Sequence, residues 1–130
     1  MISILTGIYS RYNSSAALKA ALPGKLHFQL APQSTAMTYA TYNVISNRPE
    51  YMFDGTQYEI FSIQFDIYAA SNALSIAAYE ALLAVYDDAR PSVTGYISII
   101  MERTIGQMLR DGEQYEIRRA VVSYDVRYQK

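Results

Sequence analysis

At 130 residues, 51% hydrophobic and 18% charged, the chain has the size of one domain that buries about two thirds of its unfolded surface, and it is too apolar for global disorder. With no cysteine it excludes a disulfide framework, a thiol nucleophile and a thiolate metal site, which suits the cytosol. A net charge of −1 lacks the positive excess of duplex-binding proteins, no apolar run approaches the ~20 residues that span a bilayer, and no signal peptide is recognisable.

Ile2, Leu5, Ile8, Tyr9 and Tyr12 recur at helical spacing and predict a first helix over 2–12. Asn13, Ser14 and Ser15 form a break and a cap, and a short helix over 16–22 stops at Pro23-Gly24. A short strand is expected over 25–30, then a loop over 31–38 that contains Pro32. Residues 39–46 alternate as a strand with Ala40, Tyr42 and Val44 on one side. A connection over 47–56, closed by Asp54-Gly55, leads to a strand over 58–68, giving a long-looped β-hairpin.

That second strand carries the clearest pattern of the chain. Phe61, Ile63, Phe65 and Ile67 share one face and Ser62, Gln64 and Asp66 the other, as a half-buried antiparallel strand requires. With Ser71 or Asn72 as N-cap, the apolar positions switch to helical spacing at Leu74, Ala78, Ala81, Leu82 and Val85. Arg90-Pro91-Ser92 stops this helix. Two long strands over 96–109 and 115–128 follow, joined at Asp111-Gly112, and in the last one Ala120, Val122, Tyr124, Val126 and Tyr128 share a face. The whole reads as a single α+β domain over 1–130. It is a mainly antiparallel sheet with long hairpins, an N-terminal helix and one central amphipathic helix packed on it.

Charge is segregated along the chain. Residues 1–48 hold four bases and no acid, residues 49–89 seven acids and no base, and residues 90–130 seven bases and five acids. Such charges either solvate different faces or form a bipolar surface suited to head-to-tail association. Thirteen tyrosines and no tryptophan are compatible with strand structure or with protein interfaces. In the first hairpin loop, Tyr51, Met52 and Phe53 stand where solvent-facing residues belong. They either fold back onto the domain or contact another subunit.

Sites for chemistry are sparse. His27 is the only histidine, has no ligand-type neighbours at useful spacing, and is expected to be structural or exposed. No nucleophile elbow, dinucleotide fingerprint or phosphate loop is present. Asp87-Asp88 end a helix and read as a solvated terminus, and Glu59 and Asp66, seven apart in one strand, fall on opposite faces. No enzyme activity, cofactor or metal is expected. Arg118 and Arg119, on opposite sides of their strand, are expected to pair with acids of a neighbouring subunit.

Several phrases, in order, carry a resemblance. They are the N-terminal helix, Ala31-Pro32-Gln33, residues 39–46 (YATYNVIS), residues 64–71 (QFDIYAAS), the Ala-rich helix and residues 124–128 (YDVRY). Together they resemble the tail-completion, or tail-terminator, proteins of long-tailed bacteriophages and gene-transfer agents over nearly the whole chain. Thr38 departs from the pattern, where proline is expected in many relatives.

The resemblance implies a virion protein of the tail and neck, assembled in the host cytoplasm. It implies a homo-hexameric ring at the head-proximal end of the tail tube, contacting the tail tube protein and the head connector or stopper. DNA would pass through without being read, and no catalytic residue is implied. Under this reading, interface contacts are expected from Tyr51, Met52 and Phe53, from the hairpin tip Arg110, Asp111, Gly112, Glu113 and Gln114, and from Arg118 or Arg119. An acidic lumen would draw on Glu50, Asp54, Glu59, Asp87 and Asp88. The alternatives are another neck or head-completion adaptor ring, or a small α+β domain that binds a ligand.

Overall fold

The computed structural model describes residues 2–32, 35–51, 53, 55, 57–96, 98–111 and 117–129. Helix α1 (Ile2–Ser14) runs two residues beyond its predicted end, because only Ser15 leaves helical geometry. The Ser15 hydroxyl accepts the Leu18 N–H at 3.2 Å and caps α2 (Ala16–Ala21). Helix α1 buries Ile4, Ile8 and Tyr12, spaced by four, while Leu5 is half-buried and Tyr9 is exposed. Its inward stripe is therefore rotated from the predicted one.

Five strands follow: β1 (Leu26–Phe28), β2 (Tyr39–Tyr51), β3 (Gln57–Ala69), β4 (Ser98–Asp111) and β5 (Ile117–Gln129). They form one sheet in the order β1-β2-β3-β5-β4. All pairings are antiparallel except β1 on β2, which is parallel, so the sheet is mixed. Strand β1 is shorter than predicted because Lys25 (φ 72°) and Gln29 (φ 66°) flank it in left-handed backbone. Thr38, at the position expected to hold proline, is buried, and its carbonyl accepts the Gly24 N–H at 2.8 Å.

Strand β2 differs most from expectation. It continues to Tyr51 and stays paired with β3 down to Tyr51↔Gln57, so the first half of the predicted 47–56 loop is strand. A bulge between Val44 and Ser46 shifts its side-chain parity. Before the bulge Ala40 and Tyr42 face the core; after it Asn47 and Pro49 stand on that side, opposite Phe61 and Glu59. Pro49 is tolerated because β1 reaches only Tyr42, which leaves the rest of β2 as a sheet edge among the described residues. A second bulge, between Arg103 and Ile105 in β4, lies on the same row, since Val44, Ile63, Tyr124 and Arg103 are register partners across the sheet.

Helix α3 (Asn72–Tyr86) is capped by Ser71, whose hydroxyl accepts the Leu74 N–H at 3.2 Å. It buries Ser75, Ala78, Leu82 and Tyr86, whereas Leu74, predicted inward, is exposed. Gly106 of β4 lets α3 approach closely: any side chain there would meet the Tyr79 hydroxyl. The helices cover one face of the sheet, and the core between them is aromatic. Phe65 stacks on Tyr86 with ring centres 4.9 Å apart and meets Tyr42 and Tyr124 at 5.9 Å each. The buried Tyr86 hydroxyl donates to the Ile8 carbonyl at 2.7 Å, tying α3 to α1.

Candidate assembly surface

Alternation in β3 sends Ser62, Gln64 and Asp66 to the face without helices, where they meet Asp125, Ser123 and Val121 of β5 in register. A polar ladder results. Ser62 donates to Asp125 at 2.7 Å, and the Gln64 amide donates to Asp66 at 3.1 Å. Arg119 pairs with the buried Asp66 at 2.8 Å and lies over the Tyr68 ring at 5.8 Å. Arg119 is thus engaged inside its own chain, a partner the sequence did not reveal. Arg118, on the opposite side as predicted, donates to Asn72 at the start of α3 at 2.9 Å. Glu59 and Asp66 do fall on opposite faces, with Glu59 beside Tyr128 on the helix side.

At the far end of the sheet the β2–β3 hairpin projects. Tyr51 is 69% exposed and Phe53 fully exposed, so neither packs back onto the domain. Met52 and Asp54 lie outside the described residues. Nearby, Arg127 holds Glu50 at 3.1 Å and Glu102 at 3.6 Å. Ile60 is buried on the helix-free face although it is outside the main core, and its register partners there are Arg48 and Arg127.

Of the other predicted contact, the β4–β5 connection, Arg110 and Asp111 are described by their backbone, which lies at the opposite end of the sheet from Tyr51, where Asp111 pairs with Ile117. Gly112, Glu113 and Gln114 lie outside the described residues, and the side chains of Arg110 and Asp111 are not described either.

The acids proposed for a lumen are dispersed as well. Glu50 stands on the helix-free face and Glu59 on the helix face, while Asp87 and Asp88 close the C-terminal end of α3. A carboxylate at a helix C-terminus is disfavoured by the macrodipole. Asp87 offsets this by accepting the Tyr124 hydroxyl at 2.8 Å and facing Arg103 at 3.6 Å. Burial, and then the bond to Asp87, push the Tyr124 hydroxyl pKa well above the usual tyrosine value; burial does the same at Tyr86.

His27 is structural. Its Nε2 lies 2.8 Å from the Gly24 carbonyl, a hydrogen bond that requires the proton on that nitrogen. Among the described residues no cluster of His, Asp or Glu is arranged to hold a metal ion, and no helix is long and apolar enough to cross a membrane.

Sequence reasoning missed an apolar groove on the β1 side. Leu5, Thr6 and Tyr9 of α1 face Phe28 of β1 and Tyr42 of β2 across about 330 Å³. Phe28 is 45% and Tyr9 40% exposed, and the Phe28 and Tyr42 rings lie 5.1 Å apart. The sequence carried no signal for it: Tyr9 falls within the predicted apolar spacing of α1, and only the tertiary contacts leave it outside the buried stripe.

Residues 6–129 match the family model described as Tail completion protein gp17. A chain in the virion of a native gene transfer agent particle has the same fold, with TM-score 0.74 and 15% identity, covering 95% of this chain and 92% of that one. A second solved structure aligns with TM-score 0.59 and 14% identity over 97% of this chain and 96% of its own. No curated protein matches this sequence.

Proposed function

Since the chain belongs to the tail completion protein gp17 family, we propose that it is the subunit of a six-fold ring that closes the head-proximal end of a phage tail tube and joins it to the head connector. The role is that of a structural virion protein, and no catalytic step is needed for it. The observation that carries this reading is the projecting end of the β2–β3 hairpin. Two large aromatic residues, Tyr51 and Phe53, stand exposed on an arm that is paired and ordered as strand up to Tyr51. An exposed aromatic pair on a rigid arm is costly to solvate and characteristic of a contact made in an assembly.

A closed ring of identical subunits requires two different complementary surfaces on each copy. The exposed β2–β3 arm offers one of them. A stable contact between neighbours needs on the order of 800 Å² per partner.

DNA would traverse the ring without being held, which favours an acidic or neutral wall over a basic one. Of the acids considered, Asp88 is exposed at the end of α3 and is the residue we expect to line it. A wall of Arg and Lys in the assembled particle would contradict that part.

The test is the mass of the purified protein by light scattering with negative-stain imaging, alone and mixed with the tube protein of the same particle. Six-fold rings, or rings capping short tubes, are expected. A monomer inert towards tubes would overturn the ring and move the protein to another neck component.

A further inference from the structure

The exposed arm and the apolar groove are complementary in chemistry and charge, and the groove has the size of a side chain. Each is open where the rest of the core is closed: Phe53 is fully exposed at the hairpin tip, and Leu30, two residues beyond the groove residue Phe28, is 83% exposed. At about 330 Å³ the groove is at the small end of ligand pockets, the size of one or two side chains rather than a cofactor. Its lining is apolar and aromatic, without convergent charged groups.

The two features cannot meet within one copy. Tyr42 lines the groove and Tyr51 begins the tip, nine positions apart in the same strand. At about 3.3 Å per residue the strand holds them roughly 30 Å apart. Whatever tip fills the groove must come from another molecule.

Charge favours the same pairing. The groove is built by residues 5–42, within the stretch of four bases and no acid, with Lys25 exposed at the start of β1. The arm at the tip end carries Glu50 and Glu59, with Glu102 held to it through Arg127, against the two bases Arg48 and Arg127, so acids outnumber bases there. Opposite signs on the two surfaces steer one onto the other, whereas tip-on-tip or groove-on-groove contacts would set like charges together.

We propose that the groove formed by Leu5, Tyr9, Phe28 and Tyr42 receives the β2–β3 hairpin tip of a second copy of this chain, with Phe53 as the anchor. The contact is heterologous, because each copy offers one tip and one groove; repeated with rotation it closes a ring. The proposal rests on the ring reading and adds the two mating surfaces to it.

Because the chain has no cysteine, a single introduced pair reports the contact. Tyr51→Cys protein, which keeps the Phe53 anchor, is mixed with Leu30→Cys protein, which keeps the groove lining, in the presence of a short bismaleimide cross-linker, and with Ile105→Cys protein as the control on the far edge strand. All three positions are exposed, so the substitutions leave the core intact. The 51–30 mixture should yield covalent dimer at least about tenfold above the 51–105 mixture, as a short cross-linker demands close approach.

In parallel, Phe53→Ser should weaken self-association by at least about thirty-fold with an unchanged melting temperature, as expected for an aromatic anchor. Rings that form without the 51–30 link, or that survive Phe53→Ser, overturn the groove while leaving the ring standing. A protein that neither associates nor cross-links overturns both.

Discussion

In the first half of β2, Ala40 and Tyr42 are buried between β1 and β3; in the second, residues 46–49 are exposed and, among the described residues, paired on one side only. A single bulge at Val44/Ser46 separates the two halves. The inner half is held by the aromatic cluster around Phe65 and cannot be changed without loss of fold. The outer half contributes little apolar burial of its own, yet it stays strand because β3 behind it is fixed to β5. Stability thus resides at the root of the hairpin, and its outer end is released to make contacts. In the proposed ring, the same separation would let a subunit vary its contacts without risking its core.

Breaking the root should cost most. Phe65→Ala removes the centre of the aromatic cluster and should destabilise by about 3–5 kcal/mol, read as a drop in denaturant midpoint. High pH acts on the same region. Tyr86 and Tyr124 are buried with pKa values raised above the ordinary tyrosine value of 10.0, so the unfolded chain loses these protons first. Their stabilising contribution is complete below pH 10 and is lost as pH rises towards the folded values, at up to about 1.4 kcal/mol per pH unit for each group. Tyr124→Phe should flatten that slope in urea melts taken between pH 9 and 12.

Asp66→Ala tests the polar face of the root. It leaves Arg119 without the partner it holds at 2.8 Å and should cost about 1–3 kcal/mol. The arm should respond least. Tyr51→Ser, at a 69% exposed position, should change stability by no more than about 0.5 kcal/mol while weakening assembly. A large stability loss there would erase the distinction between the two halves.

The root was legible in the sequence because one face of β3 is apolar and fully buried while Ser62, Gln64 and Asp66 make the other polar, so Phe61, Ile63, Phe65 and Ile67 alternate cleanly. The arm was not legible. Asn47 and Pro49 read as loop residues, and a strand exposed on both faces has no alternation to betray it. The bulge also reverses parity at the point where the pattern of Ala40, Tyr42 and Val44 would have continued.

Exposed Tyr51 and Phe53 were identifiable as anomalous, but nothing in one sequence distinguishes an outward aromatic from one folded back. The groove depends on α1 meeting β1 and β2, a tertiary contact that helical spacing cannot report. Likewise, Arg119 needed the strand register before Asp66 could be recognised as its partner.

Hydrogen exchange on the free and the assembled protein reads both halves in one experiment. Edge amides of residues 46–51 should exchange quickly in the free protein and become protected on assembly, while residues 63–68 and 120–126 remain protected in both states. Arm amides that are already protected in the free protein, or that stay unprotected in the ring, would contradict the assignment of the arm to assembly.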